Sequence, residues 1–71
     1  MIDYEVGDVI EYDVLSESGE NRVVEITDKF ENIKNGRPGF DGVVVEPEDD
    51  NIEVGDRVWG YDDRVIRVIE T

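Results

Sequence analysis

Apolar and polar residues alternate along much of the chain with a period of two, the spacing of a strand that buries one face. From Val9 to Val14, the residues Ile10, Tyr12 and Val14 alternate with Val9, Glu11 and Asp13, and Gly7-Asp8 opens the run. A second run starts at Asn21, with Val24 and Ile26 inward and Glu25 and Thr27 outward. Ser16, Glu17, Ser18, Gly19 and Glu20 lie between the two and have turn chemistry, so the pattern predicts a hairpin. Arg22, Val24, Ile26, Asp28 and Phe30 share one parity, which Asp28 interrupts. A bulge near Asp28 lets this strand continue through Phe30 to Ile33.

Lys34, Asn35, Gly36, Arg37, Pro38 and Gly39 read as a loop, and Phe40 to Glu46 as the third strand. Pro47, Glu48, Asp49, Asp50 and Asn51 predict an acidic loop, and Arg57 to Tyr61 the fourth strand. Asp62 and Asp63 make a turn before the last strand, Arg64 to Glu70, which places Ile66 and Val68 on the core face and Val65, Arg67 and Ile69 on the other. Composition reinforces the strand pattern: the chain has 12 Val and 7 Ile against one Leu and no Ala. Branching at Cβ restricts χ1 in a helix and packs well on a pleated surface, so no helix is expected.

Seventy-one residues suit one domain, and five short strands suit a small barrel, because closure removes exposed edges. The expected fold is all-β, a five-stranded SH3-like barrel over residues 1–71. Glu5-Val6-Gly7-Asp8 and Glu53-Val54-Gly55-Asp56 echo each other, and each is expected to set a tight turn before a strand. Val-Gly-Asp followed by a strand resembles the openings of SH3-like barrel domains. A second resemblance runs from Gly39-Phe40-Asp41-Gly42-Val43-Val44-Val45-Glu46-Pro47 to Val54-Gly55-Asp56-Arg57-Val58, which is similar to the TRAM-type OB domain. That likeness implies an OB-like barrel that binds RNA, the alternative fold and function. The family's glycine and arginine turn has no counterpart upstream in this chain, and carboxylates stand in place of its basic surface.

The chain carries 20 Asp and Glu against 7 Lys and Arg, a formal charge of −13. This composition resembles that of small acidic haloarchaeal proteins, and it implies adaptation to high salt, where screening quiets self-repulsion. It disfavours a conventional basic nucleic-acid binder. With no Cys and no His, thiolate chemistry, disulfides, imidazole bases and the usual zinc sites are excluded. No apolar run has membrane-spanning length, and Met1 to Glu5 are acidic where a signal peptide is basic, so a cytoplasmic location is expected. Ser16 and Ser18 have no base beside them, and no pair among 20 carboxylates is singled out. The expected role is therefore non-catalytic and cofactor-free.

Candidate chemistry concentrates in two places. Lys29, Lys34 and Arg37 form a positive island, in which Arg37 grips an oxyanion bidentately, Asn35 adds amide hydrogen bonds and Phe40 offers a ring for stacking. The competing reading pairs Arg37 with a nearby carboxylate and leaves only a turn. Trp59 and Tyr61 share parity, either as a binding pair for bases or a Pro-rich peptide, or as core elements, the usual place of a lone Trp in a small barrel. Tyr4 and Tyr12 complete either arrangement. The runs Glu48, Asp49, Asp50 and Asp62, Asp63 read as solvated surface, not as a cation site. Val65 and Ile69, flanking Arg67, offer a dimer face unless Ile2 and Tyr4 fold across it, and a monomer is expected. A protein partner is expected at Lys34, Asn35, Arg37, Phe40, Trp59 and Tyr61, with RNA as the alternative.

Overall fold

A computed structural model describes residues 2–13, 21–46 and 53–70. Five strands form a single antiparallel sheet: β1 (Val9–Asp13), β2 (Asn21–Lys34), β3 (Arg37–Glu46), β4 (Arg57–Tyr61) and β5 (Val65–Glu70). Their order is β4-β3-β2-β1-β5, so β1 to β4 are successive neighbours and β5 returns to pair with β1. The expected turn at Asp62 and Asp63 is one turn of 3-10 helix, Asp62–Arg64, which joins β4 to β5. The expected Ser16–Glu20 turn, Val14 and the acidic loop 47–51 lie outside the described residues.

The two Glu-Val-Gly-Asp segments fold alike. In the first, the Asp8 amide donates to the Glu5 carbonyl at 3.0 Å and the Glu5 amide donates to Asp8 Oδ2 at 2.9 Å. In the second, Asp56 and Glu53 repeat both bonds at 3.0 Å. Gly7 and Gly55 sit at φ 96° and 95°, the positive φ that a type II turn demands of its third residue. Each turn then clamps a core residue of the central hairpin. Gly7 donates to the Ile26 carbonyl while the Ile26 amide donates to Asp8; Gly55 and Asp56 hold Val44 the same way. β1 and β4 therefore start by the same device on opposite sides of β2 and β3.

The central hairpin is longer than expected. Asn35 (φ 56°) and Gly36 (φ 75°) make a two-residue turn that pairs Lys34 with Arg37, so the segment 34–39 read as a loop is mostly strand. Asn-Gly is the favoured sequence for such a turn because both residues need positive φ. The Gly36 amide also donates to Asn32 Oδ1 at 3.0 Å. Pro38 fits inside β3 because the register jumps from Phe30↔Gly39 to Lys34↔Arg37, leaving three β2 residues opposite one proline that has no amide to pair.

A second register shift falls between Ile26 and Asp28, where the interrupted parity calls for a bulge. Thr27 is the extra residue, so Asp28 and Phe30 turn outward and Lys29 turns towards the core side, where its Nζ donates to the Tyr4 carbonyl at 2.6 Å. β5 carries two more shifts. Tyr12 pairs with Val65, Glu11 with Arg67, Ile10 with Val68 and Val9 with Glu70, so Ile66 and Ile69 are extra residues. Val68 packs on the core as expected, but the faces of two residues are corrected: Val65 is buried and Ile66 is 41% exposed. An inserted residue breaks the period of two.

The core comprises Tyr4, Ile10, Tyr12, Val24, Ile26, Phe40, Val44 and Val65. Phe40 is its centre, wholly buried, with Tyr4 and Tyr12 edge-on at 5.7 and 5.2 Å between centroids. Opposite Phe40 on β4 stands Gly60, where a Cβ would lie 2.8 Å from Phe40 Cζ. Tyr4 thus belongs to the main core rather than to a cover over β5, and Ile2 is exposed. Burial, aided by the hydrogen bond its hydroxyl donates to Asp62 and by that carboxylate's charge, holds the Tyr4 phenol far above its ordinary pKa.

Candidate binding surface

Because β4 faces β3 in the register Gly39↔Tyr61, Phe40↔Gly60 and Asp41↔Trp59, the side chains of Trp59 and Tyr61 stand on the outer face while Gly60 faces the core. Of the two readings of the single Trp, the one that places it in the core is corrected: Trp59 is 45% exposed. Its inward position is already filled, since Phe40 occupies the space over Gly60. Trp59 and Tyr61 pack edge to face, 5.3 Å between centroids with planes at 89°, an arrangement worth about 0.5–1.5 kcal/mol beyond area burial.

The Asn35-Gly36 hairpin brings cations onto this pair. Arg37 Cζ lies 3.8 Å from the Tyr61 centroid and Lys34 Nζ 5.4 Å from that of Trp59, each contact worth about 0.5–1 kcal/mol at an exposed site. Asn35 Nδ2 donates to the Tyr61 hydroxyl at 3.5 Å, the outer limit of a hydrogen bond. Arg37 also forms an ion pair with Asp63, as the competing reading of the sequence had it. Both partners are solvated, so the pair orients Arg37 more than it stabilises the fold.

Five of the six expected site residues, Lys34, Asn35, Arg37, Trp59 and Tyr61, therefore share one surface. Phe40 does not: its parity on β3 matches Gly42 and Val44, and it is a core residue with no face left for a partner. Lys29 is likewise removed from the positive island by its bond to Tyr4 and by its position 4.4 Å over the Tyr4 ring.

Next to this surface is a cleft of about 260 Å³ lined by Tyr12, Asp13, Arg22, Trp59, Gly60, Tyr61 and Arg64. It runs between β4, which among the described residues pairs on one side only, and the far end of β1. Arg22 Nη1 donates to the Tyr12 hydroxyl at 3.4 Å, and Arg64 Nη1 stands 3.5 Å from Asp13 Oδ2. Burial raises the Tyr12 phenol above its ordinary pKa, with Arg22 opposing the shift. One sign of this cleft was in the sequence: Arg22 shares parity with Val24 and Ile26, a charge on a core-facing position at a strand end.

Among the described residues no cluster of three or more carboxylates is placed to hold a metal ion, and no helix is long and apolar enough to cross a membrane. No family model matches the chain, and no curated protein or solved structure matches it.

Proposed function

We propose that the protein is a non-catalytic binding module built on an SH3-like barrel, and that a partner protein seats on the Trp59–Tyr61 surface. The strand order supports the barrel: a four-strand meander, a single 3-10 turn and a last strand returning to β1 fit an SH3-like arrangement. An OB-like barrel is a Greek key, and the unbroken succession of β1 to β4 counts against it.

The observation that carries the binding reading is the exposure of Trp59, which packs edge to face on Tyr61 and has Lys34 over its ring, while Arg37 lies over Tyr61. Trp, Tyr and Arg are the residues on which interface energy concentrates, and a pre-ordered set of them loses little entropy on binding. RNA would use the same rings, yet Phe40 is buried, Lys29 is bonded to Tyr4 and Arg37 is paired with Asp63. Of the cations expected at this surface, that leaves Lys34 for phosphate recognition, in a chain of charge −13. The module works as a monomer in the cytoplasm of a cell with high internal salt, as its carboxylate-rich composition suits.

Affinity capture from an extract of the source organism in molar KCl tests this reading. A protein retained by the wild-type chain and lost with Trp59→Ala supports it. Retention of RNA in a Trp59-dependent way favours the alternative, and captures indifferent to Trp59 overturn both.

A further inference from the structure

The cleft beside the aromatic pair has its own chemistry. Arg64 Nε is buried and, among the described residues, has no hydrogen-bond partner. A guanidinium presents five N–H donors in a fixed fork, and among the described residues the one carboxylate at Arg64 is Asp13, 3.5 Å from Nη1. Arg22, the second guanidinium in the cleft, contacts a neutral hydroxyl and no carboxylate among the described residues. Among the described residues, Arg22 thus has no carboxylate partner and Arg64 keeps a buried Nε unpaired, both in one cavity. The Tyr12 hydroxyl accepts from Arg22, so its own proton is free to be donated, and burial keeps it protonated.

We infer that this cleft is a carboxylate-binding site, in which Arg22 and Arg64 hold the two oxygens and the Tyr12 hydroxyl donates a further bond, with Trp59 and Tyr61 flanking the group that carries the carboxylate. Two guanidinium groups against Asp13 leave one net positive charge, the complement of a monoanion. A phosphate dianion would place excess negative charge beside Asp13. The volume of about 260 Å³ is below the usual ~300–1,000 Å³ of small-molecule pockets and suits one side chain or a chain terminus. The source of the carboxylate rests on the protein-partner reading: a C-terminus, or an Asp or Glu side chain, of the protein seated on Trp59.

Titration of the ¹⁵N-labelled full chain in molar KCl with four probes tests the inference. N-acetyl-leucine carries a free terminal carboxylate, N-acetyl-leucinamide carries none, N-acetyl-glutamic α-amide carries one on a side chain, and inorganic phosphate tests the anion class. The expected result is a saturable shift of the Gly60 amide, the Trp59 indole and the Arg22 and Arg64 Nε–H signals with a carboxylate probe and not with the amide. The stronger of the two carboxylate probes identifies the source. Arg22→Gln weakens the binding about tenfold or more, as loss of a charged hydrogen bond does. Arg64→Lys, which keeps the charge near Asp13 and loses the fork, weakens it as well. Equal shifts with acid and amide, no shift with any probe, or tighter binding of phosphate overturns the inference. Capture of a protein through Trp59 that survives Arg22→Gln leaves the module reading standing without the carboxylate site; probe binding without any Trp59-dependent protein does the reverse.

Discussion

Replacing Gly60 by alanine tests whether core and surface are joined through one close contact. A Cβ at this position meets Phe40 Cζ at 2.8 Å, Phe40 Cε1 at 3.2 Å and Tyr12 Cε2 at 3.2 Å. Neither ring is a loose end, since both are buried and locked edge to face. Overpacking of this kind costs about 1–3 kcal/mol, offset by roughly 0.4–1 kcal/mol from the smaller entropy of the unfolded chain. A net loss of ~1–2 kcal/mol is a large share of the ~3–5 kcal/mol available to a single-core domain of this size, and converts to a fall of about 5–15 °C in Tm. Thermal unfolding in molar KCl, followed by circular dichroism, measures it. Displacement of Phe40 also tilts β4, so the Trp59 emission should change in the folded state. A Tm equal to or above that of the wild type refutes the packing argument.

Gly7→Ala and Gly55→Ala meet open space, so their cost is backbone strain alone; each should destabilise by about 1–3 kcal/mol, and chemical denaturation should find the two effects alike because the two turns are. Arg67 and Asn21 hydrogen-bond to Glu11 and hold its carboxyl below the ordinary value of 4.5; Arg67→Gln should raise it back towards 4.5, read from the carboxyl ¹³C shift against pH. Tyr4 and Tyr12 keep their protons above the ordinary phenol value of 10.0 because the folded state disfavours both phenolates. Their stabilisation is therefore complete below pH 10 and is lost as pH rises beyond it, so alkaline titration should show both phenolates forming above the ordinary phenol range, with stability falling as they form. With the Debye length falling from ~10 Å at 0.1 M to ~3 Å at 1 M salt, the melting temperature should rise with KCl; a flat profile contradicts adaptation to high salt.

Much of the fold was legible because its causes are local. The Glu-Val-Gly-Asp turns depend on one glycine and one carboxylate within four residues, and the bulge near Asp28 betrayed itself by placing a charge on a buried parity. What resisted reading was non-local. Nothing in Val65 to Glu70 tells that Ile66 and Ile69 are extra residues, since a bulge is defined by the partner strand. The 34–39 segment looked like a loop because Pro38 and Gly39 mask the Asn35-Gly36 hairpin signal, and only the three-residue offset on β2 makes room for a proline. Five members of the surface cluster were within reach because strand parity and the hairpin bring them together. Of the cleft only Arg22, a charge on a core-facing parity, gave a sign, since Tyr12, Arg22 and Arg64 meet only when three elements converge.

The Trp59–Tyr61 surface as the site of partner binding is tested most directly by the ¹⁵N–¹H correlation spectrum of the chain in molar KCl, recorded with and without the protein that Trp59-dependent capture yields. Shifts confined to the Trp59 indole, Lys34 to Arg37 and Gly60 to Asp63 are the predicted result. Shifts centred on Ile66 and Ile69 of β5, with the Trp59 indole unmoved, would contradict it.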